Sequence, residues 1–279
     1  MYFDAHTHLN DNALFPTRQE LLYQCKQASI GGVIIVGTEH QINERAIEIA
    51  RTAPTIEPSV LVKATVGLHP ALVSYGTITD THTLTREMDA LQRLLDQYPT
   101  DICALGECGI DAHYEGYTHH QELQQQLFYQ QCRIALERSL PLVIHSRDHF
   151  ADTLEIIQGF PGLKIYFHCR GYGPDELSVL EHLFPDLRIG FCGNITYPKA
   201  SVIRDSATYL LTHPTSTARI VLETDAPYLS PQPKRGTTNT PLNLPDIYEY
   251  FLTQRSLSSD SFVASVEKNR RALYDLPNT

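Results

Sequence analysis

The stretch Tyr2-Phe3-Asp4-Ala5-His6-Thr7-His8-Leu9-Asn10 opens the chain with a short apolar run ending in two histidines one residue apart. In an extended strand, residues i and i+2 point to one face, so Asp4, His6 and His8 converge on one spot. Taken alone, that is either a hydrogen-bonded polar core or one arm of a metal site. The stretch also bears on the fold. A doubly wound nucleotide-binding sheet places a glycine-rich turn after its first strand, and DAHTHLND contains no glycine.

Outward from residues 2–6, seven further β-branched or apolar runs follow at 32–36, 60–66, 102–105, 142–145, 164–168, 187–191 and 219–222. Stretches of helical period lie between most of them, at 17–29, 42–53, 85–98, 118–139, 174–183 and 199–212. The clearest is 118–139, where Leu123, Leu127 and Ile134 share a side interrupted only by Gln131. Alternating strands and helices imply parallel strands joined by crossovers. Eight such units in about 250 residues fit an α/β fold, a (β/α)8 TIM-like barrel, as a single domain over 1–279. The proline-rich tract 227–245 stands where a long active-site loop belongs, and helices near 244–255 and 260–273 close the domain.

Of the 279 residues, 42% are hydrophobic and 19% charged, a balance that supplies a sizeable core. With 22 basic against 32 acidic side chains the net charge is −10. No general basic surface advertises nucleic-acid binding, so a polyanionic substrate needs a local positive centre. Six cysteines form no C-x-x-C pair, and the N-terminus has neither the charged nor the long apolar region of a signal peptide. No apolar stretch approaches the ~20 residues of a membrane helix. The expectation is a reduced, cytoplasmic monomer with no membrane or obligate protein partner.

The polar residues recur at one address. Runs one, three, four, five, six and eight end in HTH (His6, His8), GLHP (His69), GECGID (Glu107, Asp111), HSRD (His145), HCRG (His168) and ETDAP (Glu223, Asp225). In a barrel all strand ends meet on one rim, where barrel active sites lie. Imidazole and carboxylate together suit divalent ions such as Mg, Mn or Zn. Cys108 and Cys169, each next to a candidate ligand, are expected to turn away by strand alternation. The six candidates His6, His8, Glu107, His145, His168 and Asp225 exceed the three protein ligands of a single catalytic zinc and naturally serve two ions, with Glu107 placed to bridge. Two ions bring +4, of which Glu107, Asp225 and a metal-bound hydroxide cancel about three. The remaining positive centre suits a phosphate oxyanion, with Asp225 accepting the proton of the attacking water and catalysis resting on Asp225 and Glu107. His69, Arg147 and Arg170 are candidate substrate contacts, the arginines through bidentate hydrogen bonds to phosphate. Lys234 and Arg235, on the long loop, are candidates for a nucleic-acid backbone. Asp4 is expected to orient an imidazole, Glu223 to orient a ligand, and His113, His119 and His120 to be surface residues at a helix entry.

With these motifs in place, the chain resembles the TatD family of metal-dependent deoxyribonucleases, amidohydrolase-like barrels. The resemblance runs from DAHTHL through GLHP, GECGID, HSRD and HC to LETDAPYLSP, RGTTNTP and VEKNRRALY. It implies a binuclear divalent-metal site and hydrolysis of DNA phosphodiesters, often from an end. Carried over by motif, His6, His8 and Asp225 hold one ion, His145 and His168 the other, and Glu107 bridges. Arg170 and Thr240 depart from the family pattern, which more often has an apolar residue and an acid there. The alternatives on the same barrel are a D-aminoacyl-tRNA deacylase and a phosphotriesterase- or lactonase-like ester hydrolase. Members of the latter often bridge their metals with a modified lysine at the address Glu107 occupies here.

Overall fold

The β-branched runs fold as eight strands, and the computed structural model describes residues 1–56, 59–113, 117–169, 171–213, 216–232, 234–255 and 258–276. The strands are β1 (Tyr2–Thr7), β2 (Ile30–Val36), β3 (Leu61–Val66), β4 (Ile102–Asp111), β5 (Leu142–Arg147), β6 (Ile165–Phe167), β7 (Leu187–Phe191) and β8 (Ile220–Leu222). They pair in parallel in sequential order. The helices are α1 (Arg18–Gln27), α2 (His40–Thr52), α3 (Ala71–Ser74), α4 (Thr81–Gln97), α5 (Tyr117–Glu137), α6 (Phe150–Ile157), α7 (Pro174–Leu183), α8 (Ser201–Thr212), α9 (Leu244–Arg255) and α10 (Ser259–Tyr274). The architecture is the expected (β/α)8 barrel.

Alternation divides the core in two. Phe3, Ala5, Ile34, Val36, Ala104, Val143, Tyr166 and Val221 fill the barrel interior, while residues such as Val33, Ile35 and Ile144 pack outward under the helices. Leu273 and Tyr274 of α10 plug the interior from the end away from the strand C-termini. The Arg270 guanidinium lies 3.7 Å over the Phe3 ring, and the Tyr274 hydroxyl donates to the Ala5 carbonyl at 2.9 Å. The two C-terminal helices therefore close the fold as expected.

The barrel closes just beyond the last strand. Asp225 N donates to His6 O at 2.9 Å and His8 N to Ala226 O at 2.7 Å. Asp4 adds a side-chain seam, accepting from Thr224 N at 2.9 Å and Thr224 Oγ1 at 2.5 Å. This corrects the expectation for Asp4, whose carboxylate binds the closing segment rather than an imidazole.

Two differences from the sequence reading matter for the site. β4 runs on to Asp111, six residues past the apolar run, because Gly109 (φ 144°) allows β5 to lie against it. A Cβ there would meet the His145 carbonyl. The polar Gln131 on the apolar side of α5 is also resolved. Its amide exchanges hydrogen bonds with Leu68 N (2.8 Å) and Leu68 O (2.9 Å), fixing the backbone next to His69. The eight-residue α6 and four-residue α3 were not anticipated, since two turns or fewer show little periodicity.

Candidate metal centre

The strand C-termini bring His6, His8, Glu107, His145, His168 and Asp225 together at the rim. Glu107, buried on β4, faces two ways. Its Oε1 lies 2.6 Å from His168 Nε2 and 2.9 Å from His145 Nδ1. Its Oε2 lies 3.4 Å from His6 Nε2 and 3.7 Å from His8 Nε2. Asp225 Oδ1 completes the first group, 3.4 Å from His8 Nε2 and 3.7 Å from His6 Nε2.

These donors fit divalent ions. The Nε2 atoms of His6 and His8 stand 3.2 Å apart, and His145 Nδ1 and His168 Nε2 stand 3.3 Å apart. Two imidazole nitrogens each about 2.0–2.1 Å from one tetrahedral ion are separated by about this much. The tautomer of His8 suits ligation too, because Nδ1 faces the Val36 carbonyl at 3.0 Å. Donation there frees the Nε2 lone pair. His6 Nδ1 and His168 Nδ1 are buried with no hydrogen-bond partner among the described residues.

Electrostatics follow from this crowding. Burial alone would raise Glu107, but the His168 charge and hydrogen bonds from His145, His168 and His6 hold it well below the usual carboxylate range. Burial likewise opposes ionisation of Asp225, and His8, His168 and His6 overcome it. Burial and the His168 charge depress His6 to about 4. Against burial, His8 is raised by Asp225 and Glu107, and His145 is raised too. Burial pulls it down, yet Asp111 and Glu107 lift it to about 9, with Asp111 Oδ2 2.9 Å from His145 Nε2.

Asp111 is the residue whose role the sequence reading missed. The signal was present: Glu107 and Asp111 are i and i+4 on one strand and share a face. Ending the strand at 105 concealed it. Gln124 of α5 fixes Asp111 by accepting from its backbone N–H at 3.0 Å.

His69 stands beside the centre, its Nε2 3.6 Å from Glu107 Oε1. Burial and the His145 charge depress it to about 3, so it is neutral. Ala71 N donates to His69 Nδ1 at 3.1 Å, which leaves the proton on Nε2. A ring with that tautomer offers a donor to the site, not a metal lone pair.

Glu223 lies beneath the centre in space that Gly190 leaves open, for a Cβ on Gly190 would stand 2.6 Å from Glu223 Oε2. Tyr166 OH and Cys169 N donate to its carboxylate. His168 Nδ1 is 3.9 Å from Glu223 Oε1, beyond a hydrogen bond. Burial and the Asp225 charge push Glu223 well above its ordinary range.

Cys108 is buried away from the rim as expected, but Cys169 is not turned away. The strand ends at Phe167, and Cys169 adopts φ 40°. It lines a cavity of about 470 Å³ with His168, Asn194 and Tyr228. A second cavity of about 470 Å³ spreads from the other side of the centre over His8, Asp11, Glu39, Ile42, Leu72 and Tyr75. Arg147 is exposed and lines both. Arg170 lies outside the described residues. Lys234 is held by Asp246 at 2.7 Å and Asn243 at 2.9 Å. His113 is exposed against Asp148 at 3.1 Å, and His119 and His120 lie at the start of α5. Thr240 N bonds Asn239 Oδ1 at 2.9 Å at the entry to a short 3-10 turn.

The chain resembles known proteins over nearly its whole length. The family described as TatD related DNase matches residues 3–275. A 3'-5' ssDNA/RNA exonuclease TatD of Dickeya dadantii is 29% identical, over 98% of this chain and 97% of its own. A metal-dependent hydrolase of Bacillus subtilis is 25% identical over 98% and 99%. The crystal structure of a TatD homologue from Escherichia coli superposes with a TM-score of 0.85 at 24% identity, covering 99% of this chain and 98% of that one.

Proposed function

The chain belongs to the TatD-related DNase family of metal-dependent hydrolases, and from that premise we propose that it hydrolyses phosphodiester bonds of single-stranded DNA or RNA from a free end, using two divalent ions. The observation that carries the reading is Glu107, whose two oxygens are divided between the His6–His8 pair and the His145–His168 pair. His6, His8 and Asp225 would hold one ion, His145 and His168 the other, and Glu107 both. The ions would supply charge neutralisation at a phosphoryl oxygen and a water that ionises near neutral pH.

The chain's own groups do the rest. Asp225, kept ionised by His8, accepts the proton of the attacking water. His69 donates Nε2–H to a non-bridging phosphate oxygen, and Arg147 at the boundary of the two cavities neutralises a second. Asp111 holds the His145 ring through Nε2. The names of the Dickeya dadantii relative and of a second TatD exonuclease, from Pantoea vagans, support single-stranded polynucleotides as substrate and 3'-to-5' polarity.

The test is end-labelled single-stranded DNA, double-stranded DNA, RNA and D-aminoacyl-tRNA, each with Mg, Mn or Zn. Stepwise shortening of the single strands is expected. No oligonucleotide cleaved under any metal, with or without turnover of D-aminoacyl-tRNA, would overturn the proposal.

A further inference from the structure

Two exposed cations near the rim stand outside the machinery described above, and they give the substrate a direction. Resting on the single-strand nuclease reading, we propose that the polynucleotide beyond the scissile phosphate runs over Arg147 and then Tyr197, Lys199 and Arg235, while the residue being released lies in the opposite, acidic cavity.

The cavities are contiguous. The two that flank the centre share His145, Arg147, His168, Asp225 and Tyr228. The one lined by Cys169 continues through Asn194 into a third, of about 380 Å³, lined by Tyr197, Lys199 and Arg235. Their charges differ in sign. Past the centre, the cavity over His8 and Tyr75 carries Asp11 and Glu39, and Arg147 at its boundary is the only lysine or arginine among its described residues. The cavity lined by Cys169 carries Arg147 with Asp148, itself paired with His113. Among its described residues, the third has two cations and no carboxylate. In a chain of net charge −10, that is a local positive end.

Lys199 and Arg235 are available to a ligand. Both are exposed, and neither forms an ion pair among the described residues, whereas the neighbouring Lys234 is neutralised by Asp246. The Arg235 guanidinium lies 4.4 Å over the Tyr197 ring, and Tyr197 OH is anchored to Ser230 O at 2.9 Å. A planar cation stacked on a fixed ring offers a base a flat platform beside a charge for its phosphate. Single-strand binders combine these two elements. A phosphate continuing past the centre in the other direction would meet Asp11 and Glu39 and be repelled, so a strand end is the group that fits there. Repulsion on that side is a physical reason for end-directed cleavage.

The test compares the protein with the double variant Lys199→Ala/Arg235→Ala, and with Lys234→Ala as a control. Two readouts are used: kcat/KM on a 12-nucleotide single strand divided by kcat/KM on a dinucleotide, and fluorescence anisotropy of the labelled 12-mer, as DNA and as RNA, across a salt series. The double variant is expected to lower the ratio about tenfold. It should also flatten the slope of log K against log salt by about 1.4, since each lost phosphate contact removes about 0.7 on a single strand. Lys234→Ala should change neither. Ratio and slope both unaltered in the double variant would overturn the track. If no oligonucleotide is cleaved by any of the proteins, the nuclease reading fails separately. The track then stands on 12-mer binding that depends on Lys199 and Arg235, and falls if binding ignores them.

Discussion

Asp4 accepts two hydrogen bonds from Thr224, one from the backbone N–H at 2.9 Å and one from the hydroxyl at 2.5 Å, and so joins the first strand to the segment that follows the last. The bond is buried, and His6 and Asp225 lie two residues and one residue beyond its ends. Barrel closure and the geometry of the first candidate ligand group are thus one structural event.

Asp4→Ala should therefore destabilise the barrel and loosen the site. Leaving the Thr224 donors buried without an acceptor costs about 2–4 kcal/mol, or a fall in Tm of roughly 3–7 °C for a chain of this size. Calorimetry measures it, and a Tm within a degree of the parent would show that the seam contributes nothing.

Glu107→Gln keeps the shape of the side chain but removes the charge shared by both histidine pairs. Metal content by mass spectrometry should fall from two ions per chain to one or fewer, with circular dichroism unchanged and hydrolysis reduced at least a thousandfold. Fewer than one ion in the fully loaded parent would count against a binuclear centre.

The pH response of the metal-free protein, set against that of Asp111→Asn, reports on His145. Its folded pKa, about 9, lies above the ordinary value of 6.5 because Asp111 and Glu107 outweigh burial. A group raised on folding contributes stability that is complete below pH 6.5 and is lost as pH climbs through 9. Urea midpoints of chelator-treated protein should decline across that window, and Asp111→Asn should shrink the decline. Parallel curves for the two proteins would refute the pairing. Metal uptake must displace the same proton, so apparent affinity should rise with pH up to about 9.

His69→Ala removes a neutral ring whose proton sits on Nε2. Losing one hydrogen bond to a charged oxygen, about 1.5–3 kcal/mol, should lower kcat/KM on bis(4-nitrophenyl) phosphate some 10- to 100-fold without loss of bound metal. A variant that sheds metal instead would identify His69 as a ligand.

Much of this was legible beforehand because periodicity is a local property. Alternation placed Asp4, His6 and His8 on one face, and eight apolar runs separated by helical stretches specified the barrel. Glu107 and the histidines could be named because parallel strands deliver their C-terminal ends to one rim. What escaped were residues whose roles depend on partners distant in sequence. Gln131 looked like a flaw in an apolar stripe until Leu68 supplied its partners. Asp111 stood among the strand-end acids without a role until β5 placed His145 beside it. Cys169 followed the strand pattern on paper, but β6 ends at Phe167 and the chain turns.

The sequence by itself determined the strand order, the rim address of the polar groups and the kind of atoms gathered there, since these follow from period and residue type. Only the tertiary structure decided which oxygen of Glu107 faces which histidines, that His69 keeps its proton on Nε2, and that Asp4 closes the barrel instead of steering a ring. Those outcomes rest on distances between chain segments far apart in sequence, and hydrogen bonds that fade within a few tenths of an ångström are settled only when those segments pack.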